Sequence, residues 1–345
     1  MVCVSVILMS LLALATRSEA IQEVRTNTHI VEVQWTSIPM EPPEQRVLIC
    51  NISEEQNTSV YWTKDQKWQG NGMHLEITVR EPPEAGTYNC WSNTTHKLLS
   101  STTVYIMKKD MNGETADAIL SKLPETNGRS YFKCMANNYS GKFKCFWEPV
   151  KEDSDLKFKV QTGTEHQPKS KESTSGNIVC EEPVKNEGMY SVSCSKEHFC
   201  PVTEEYHPTE MVLEVFHGVV YEKHTDNFFF KDIVKPDISK CQIDKNGYLT
   251  LMPPPNWSTP ASYFVLTYQI KVSRCKSTLR KPQVFDVDRA ILLQNGSTLK
   301  CSYPQCSSDR YCCFIRSRDL YYKHSLWSDW SEVCSYDLQD LDERA

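Results

Sequence analysis

The sequence predicts an all-β protein, a string of antiparallel sandwiches, and three observations carry that prediction. Short runs of alternating apolar and polar residues recur, as at Met73, Leu75, Ile77 and Val79, and a period of two marks a strand with one buried face. Cys50, Trp62, Tyr88 and Cys90 stand at the spacing of a two-sheet sandwich closed by an inter-sheet bridge. Near the far end, Trp327-Ser328-Asp329-Trp330-Ser331 follows Arg316 and Arg318. Two arginines spaced i, i+2 share one face of a strand, where guanidinium groups stack well on indole rings.

A chain of 345 residues is long enough for two or three domains. Its 39% hydrophobic and 10% aromatic content suits a folded protein. A net charge of -6 gives no basic signature of nucleic-acid binding. Glycine is scarce, and no H-E-x-x-H, G-x-S-x-G or phosphate-loop string occurs. The expectation is therefore a protein that is not an enzyme and takes no cofactor.

Residues 1–20 read as a secretory signal peptide, with an apolar run from Val2 to Ala15 and a small-residue site at Ser18-Glu19-Ala20. No other stretch approaches the roughly 20 apolar residues of a spanning helix, so the chain is expected to be secreted, extracellular and without membrane insertion. Six Asn-x-Ser/Thr sequons fit that compartment: Asn51, Asn57, Asn93, Asn138, Asn256 and Asn295. So does the total of 15 cysteines, all but Cys3 downstream of the signal.

Taken in order, residues 21–106 form the first sandwich. Val47 to Cys50 leads to Val60-Tyr61-Trp62, then to Glu84-Ala85-Gly86-Thr87-Tyr88-Asn89-Cys90. This is an immunoglobulin pattern: Cys50–Cys90 bridges the sheets, Trp62 packs there, and Tyr88 makes the tyrosine corner. Glu84 replaces the usual Asp of that corner. Residues 107–234 form the second domain. Phe143, Cys145 and Trp147 share one strand face there, as do Tyr190, Val192 and Cys194. Val234-Lys235-Pro236-Asp237 links it to a third domain, residues 235–334, and Pro236 favours a defined elbow. In that domain Phe264, Leu266, Tyr268, Ile270 and Val272 present an apolar face while Tyr263 falls on the other side. Residues 335–345 are a polar tail.

The W-S-x-W-S string after R-x-R resembles the signature of the cytokine-receptor type of fibronectin type III domain, in which it is structural. The spacing C-x10-C-x-W at Cys134, Cys145 and Trp147, followed by Cys180 and Cys194, resembles the first domain of such a receptor module. The resemblance implies an immunoglobulin-like sandwich followed by two fibronectin type III domains, with bridges Cys134–Cys145, Cys180–Cys194 and Cys306–Cys334. With Asn138-Tyr139-Ser140-Gly141, Ile233-Val234-Lys235-Pro236-Asp237, Trp257-Ser258-Thr259-Pro260, Ser262-Tyr263-Phe264, and Asp319 before Tyr321-Tyr322, the mature chain resembles the interleukin-12 beta-subunit family, whose chains also serve interleukin-23. It departs from that pattern at Lys223, where a relative has a glycosylated Asn, and in Cys241, Cys275, Cys301, Cys312 and Cys313, whose pairing stays open.

What the resemblance implies is a subunit of a heterodimeric cytokine. The elbow between the fibronectin domains grips a four-helix-bundle partner, and the complex engages cell-surface type I cytokine receptors in immune signalling. Matching partner-binding positions are Tyr139, Glu204, Tyr263, Phe264, Asp319, Tyr321 and Tyr322. Tyrosines give large amphipathic contacts at low entropic cost, and Asp319 can accept a bidentate arginine. Phe264 is the exception, because its strand phase points inward. Cys200 lies outside the assigned pairs, and a leftover cysteine in a secreted protein points to an intermolecular bond or a reactive thiol. In the family the matching cysteine joins the helical subunit, and the alternative is an internal bridge, for instance to Cys241.

Other readings compete. A soluble cytokine-binding protein or decoy receptor would capture a helical cytokine without signalling and without a covalent bond through Cys200. An adhesion or matrix protein is disfavoured by the tryptophan string and the paired cysteines. Homodimers through Cys200 are open. Lys271, Arg274, Lys276, Arg280 and Lys281 form a dilute basic group suited to weak binding of heparin-like glycans. Cys301, Cys306, Cys312 and Cys313 make a poor zinc set, because adjacent Cys312 and Cys313 point to opposite faces of a strand.

Overall fold

The structure is a computed structural model that describes residues 25–34, 44–52, 59–124, 129–163, 178–197, 199–200, 205–244, 248–257, 263–275, 282–287, 293–295, 298–302 and 311–336. The expected signal peptide, Asn57, Glu204, Lys276, Arg280, Lys281 and Cys306 lie outside the described residues, and Asn295 and Cys301 are placed as strand backbone alone. The chain is all-β and divides into two compact units, Met1–Asn112 and Gly113–Ala345.

The first unit holds β1 (Arg25–Gln34), β2 (Glu44–Ile49), β3 (Val60–Lys64), β4 (Lys67–Asn71), β5 (His74–Val79), β6 (Gly86–Ser92) and β7 (Leu98–Lys109). One sheet runs β7-β6-β3-β4, with β1 parallel on β7, and β2 pairs β5 in the other. Alternation dictates the core: Leu75, Ile77 and Val79 are buried while His74, Glu76 and Thr78 face out. Trp62 is fully buried opposite Cys90 in register, and Cys50–Cys90 closes the sandwich. Tyr88 donates its hydroxyl to the Glu84 carbonyl at 2.6 Å, forming the tyrosine corner. The Glu84 side chain accepts the Arg80 and Glu81 backbone N–H groups, so the longer carboxylate still fastens the corner.

The second unit begins with β8 (Lys133–Met135), β9 (Lys142–Trp147), β10 (Leu156–Thr162), β11 (Ile178–Cys180), β12 (Val184–Asn186), β13 (Met189–Lys196), β14 (Thr209–His217) and β15 (Val220–Phe228). One sheet runs β11-β13-β9-β8 with β12 also on β13, and β10-β14-β15 pair in another. Phe143, Cys145 and Trp147 are buried together on β9, and the disulfides are Cys134–Cys145 and Cys180–Cys194. Both join neighbouring antiparallel strands at directly paired residues.

The unit continues through a short helix α1 (Phe230–Ile233) to β16 (Lys240–Ile243), β17 (Tyr248–Met252), β18 (Leu266–Arg274), β19 (Gln283–Asp286), β20 (Leu293–Asn295), β21 (Thr298–Ser302), β22 (Tyr311–Asp319) and β23 (Ser335–Tyr336). The sheets are β20-β21-β17-β16-β23 and β19-β18-β22. Leu266, Tyr268, Ile270 and Val272 bury one face of β18. One hydrophobic core runs from Leu120 to Cys334 across the α1 link, with Ile233 and Val234 inside it.

The expected Cys306–Cys334 bridge is not formed, because Cys334 bonds Cys241. The segment after the tryptophans is hydrogen-bonded along β22, with Cys334 N donating to Cys313 O at 2.8 Å, and then pairs with β16. That route sets Cys334 beside Cys241, 93 residues away in sequence, with both buried. A second bridge, Cys275–Cys312, ties the end of β18 to β22, and Cys313 is buried and also disulfide-bonded.

Candidate functional site

The elbow within the second unit is built by the link from β15 to β16. Its backbone is fastened to the loop after β8: Ala136 N donates to Ile233 O at 2.9 Å, and Lys235 N to Ala136 O at 2.7 Å. Pro236 follows, with φ fixed by its ring.

Tyr139, on the loop between β8 and β9, reaches across this link. Its ring stacks on Phe264 at 4.8 Å and meets Trp257 edge-on at 6.1 Å. Its hydroxyl donates to Asp319 Oδ2 at 2.7 Å. Burial, and then the Asp319 carboxylate, hold the Tyr139 phenol far above its ordinary range. Trp257 Nε1 donates to Phe264 O at 2.7 Å, tying these two residues together.

Asp319 ends β22 and serves as the hub. Oδ1 accepts Tyr321 N at 2.7 Å and Tyr322 N at 3.3 Å, and the backbone carbonyl accepts Ser325 Oγ at 2.9 Å. The Tyr322 hydroxyl donates to Asp232 of α1, and the Lys231 ammonium lies over the Tyr322 ring at 5.3 Å. That hydrogen bond, then partial burial, pushes the Tyr322 phenol up to about 12. Lys235 pairs with Asp329 at 2.9 Å on the exposed rim. Two sequon asparagines also meet here: Asn138 Nδ2 donates to Asn256 O, and Asn256 Nδ2 to Asp237 Oδ2, each at 2.6 Å.

The expected partner-binding residues therefore divide into two sets. Tyr139, Phe264 and Asp319 are buried inside the chain, and both carboxylate oxygens of Asp319 already accept hydrogen bonds. Tyr263 and Tyr321 are 50% and 64% exposed and rim the same elbow. Tyr322 is half-buried, with its hydroxyl on Asp232 of α1. Sequence reasoning missed the contributions of Trp257 and Asp232. Trp257 had a signal in its own W-S-T-P string, whereas nothing local marks Asp232.

The tryptophan string packs as a ladder against β22. Arg318 lies over Trp327 at 4.5 Å, Arg316 lies over Trp327 at 4.8 Å and Trp330 at 4.6 Å, and Lys271 lies over Trp330 and Phe314 at 4.5 Å. Ser328 and Ser331 act as a false strand. Ser328 N donates to Ser317 O and Ser331 N to Ile315 O, while the two hydroxyls accept Ser317 N and Ile315 N. Arg316 is further held by two hydrogen bonds to Gln269 Oε1. Burial and the neighbouring cation depress both Arg316 and Lys271 below their ordinary values. Lys271 is thus spent in the ladder, which thins the basic group suggested for glycans.

Cys200 is exposed, and its neighbour Phe199 packs on Phe230 of α1 at 4.4 Å. Cys241, the internal partner considered for it, is committed to Cys334. Asn93 is exposed and Asn51 half-buried. Among the described residues no helix is long and apolar enough to cross a membrane.

Comparison with known proteins meets this geometry from outside. The family profile described as "Cytokine interleukin-12p40 C-terminus" matches residues 129–217. The chain is 31% identical over 334 residues to interleukin-12 subunit beta of Sus scrofa, covering 94% of this chain and 96% of that one. It is 32% identical over 343 residues to the Felis catus subunit, covering 95% and 97%. With the Homo sapiens subunit it shares 31% over 338 residues, covering 94% and 97%. Likeness at that level along nearly the whole length joins the Arg–Trp ladder and the fastened elbow in one conclusion: this chain belongs to the interleukin-12 subunit beta family of cytokine subunits.

Proposed function

We propose that this chain is a secreted, receptor-like subunit that holds a four-helix-bundle partner at its elbow and presents the complex to cell-surface cytokine receptors. The observation that carries the proposal is the pair of exposed tyrosines, Tyr263 and Tyr321, standing on a base that the chain itself makes rigid through Tyr139, Phe264 and Asp319. Exposed aromatics on a preorganised base suit a binding surface, because little freedom is lost when the partner docks. In this reading Tyr139, Phe264 and Asp319 position the surface, and Tyr263 and Tyr321 touch the partner, with Tyr322 at the margin. Cys200, exposed on the neighbouring loop, supplies the covalent bond to the partner.

The test is co-secretion with the four-helix subunits of interleukin-12 and interleukin-23 type, followed by non-reducing gels. A disulfide-linked heterodimer that is lost in Cys200→Ser is expected. Capture of the helical subunits in reversible form alone would replace this reading with that of a soluble trap. A covalent homodimer would point to self-association.

A further inference from the structure

We propose that the Cys275–Cys312 bridge is a thiol–disulfide exchange site, which an external dithiol opens while the chain stays folded and the other described bridges stay closed. The bridge ties the residue after β18 to the second residue of β22, beside the last strand pair, Arg274 with Tyr311. Exchange requires a thiolate to reach a bridge sulfur, so access decides which bridge reacts first. Cys275 is exposed and Cys312 half-buried. Every other bridge whose two cysteines are described has at least one of them buried: Cys50 and Cys90, Cys134 and Cys145, Cys194 of Cys180–Cys194, and Cys241 and Cys334. A reagent reaches those cysteines only when the structure around them opens.

The surroundings favour an anionic attacker. On the outward face of this sheet Ser273 stands opposite Cys312, and Lys271 stands opposite Phe314, one step along the same face. Lys271 is therefore a diagonal neighbour of Cys312. Arg274, exposed, directly precedes Cys275. Cations so placed draw in a thiolate and stabilise the thiolate that leaves.

Opening the bridge removes no strand pair. β18 and β22 stay joined along all 9 residues of each, from Leu266 with Asp319 to Arg274 with Tyr311. Tyr268, Ile270, Val272, Cys313 and Ile315 remain buried on their inner face. In the reaction one thiolate of the dithiol bonds to Cys275 Sγ, the bond between the two sulfurs breaks, and Cys312 leaves as a thiolate that takes up a proton. The second thiol then attacks the mixed disulfide, and Cys275 leaves in its turn. Two electrons and two protons pass to the chain, and the dithiol becomes a disulfide.

The secreted full chain is held with dilute dithiothreitol at neutral pH, samples are quenched over time with N-ethylmaleimide, and labelled cysteines are read by peptide mass spectrometry. Cys275 and Cys312 are expected to label together, about tenfold or more faster than the cysteines of the other described bridges, while circular dichroism shows a folded chain. Arg274→Glu is expected to slow that fast phase by about threefold, because dithiothreitol attacks as an anion. The double variant Cys275→Ser with Cys312→Ser is expected to lose the fast phase altogether. If that variant fails to fold, the order of labelling in the unmodified chain decides. Labelling of Cys275 and Cys312 in step with the buried cysteines, or only as the chain unfolds, overturns the proposal, and so does earlier opening of Cys180–Cys194. An unchanged rate in folded Arg274→Glu overturns the part assigned to that cation alone.

Discussion

The Tyr139 hydroxyl donates to the Asp319 carboxylate at 2.7 Å, joining residues 180 apart in the chain across the link that carries Pro236. Both groups are buried, at 8% and 7% exposure. A buried carboxylate is expensive unless its oxygens are satisfied, and here they are satisfied by residues from both sides of the elbow. The bend is therefore a property of the free chain and does not await a partner.

Tyr139→Phe tests this directly. The ring keeps its stack on Phe264, but Asp319 Oδ2 loses its donor. Leaving a buried charged acceptor short of a partner costs about 1–3 kcal/mol, to be read by chemical denaturation. No loss of stability would mean that the hydrogen bond contributes nothing to holding the bend.

Alkaline pH should loosen the same joint. The Tyr322 phenol is raised from 10.0 to about 12 by its hydrogen bond to Asp232 and then by partial burial, and Tyr139 is raised by burial and then by Asp319. A group whose folded pKa is raised binds its proton more tightly in the folded state. Its stabilisation is fully present below about pH 10, the unfolded value, and fades as pH climbs through the folded value. For Tyr322 that window runs from 10.0 to about 12. Tyrosinate absorbance followed together with melting temperature should show the melting temperature falling across that window. Tyr322→Phe should flatten part of the slope.

Arg316 should matter for folding before it matters for any partner. It lies between Trp327 and Trp330 and donates twice to Gln269. Arg316→Ala removes two cation–π contacts and leaves polar groups short, a loss of about 2–4 kcal/mol, expected as reduced secretion and a lower melting temperature. Arg316→Lys should recover little, because a point ammonium cannot reproduce a planar fork held between two indoles. Full recovery with Lys would show that charge alone is required.

The exposed tyrosines should behave in the opposite way. Tyr263→Ala and Tyr321→Ala remove side chains that face solvent, so stability should stay within about 0.5 kcal/mol. Capture of the helical subunit should weaken by about tenfold at one or both positions if they anchor it. Phe264→Ala, by contrast, should destabilise the chain by about 3–5 kcal/mol as a buried aromatic. Normal capture by the double tyrosine variant would remove this surface from the proposal.

Much of the architecture is written locally. Leu75, Ile77 and Val79 alternate with polar residues and are buried as that alternation requires. Phe264 was marked by strand phase as inward-pointing, and it is buried. The candidate site was less legible. Tyr139 and Tyr321 are both tyrosines in turn-rich stretches, and neither string says that one is an internal strut and the other faces solvent. Asp319 read as an acceptor for an arginine from outside, yet its oxygens are taken by Tyr139, Tyr321 and Tyr322. No feature of the neighbouring residues announces that.

What the sequence determined by itself is what short range controls. Side chains two apart share a strand face, so Arg316 and Arg318 could be set on one face of a strand from their spacing alone. What the tertiary structure decided is what closes over long range. Cys334 meets Cys241, 93 residues away, because the last segment runs along β22 and then beside β16. Tyr139 meets Asp319 because the link folds the two halves of the unit onto one core. Pairings of that kind depend on where strands come to lie in space, and spacing along the chain carries no trace of it.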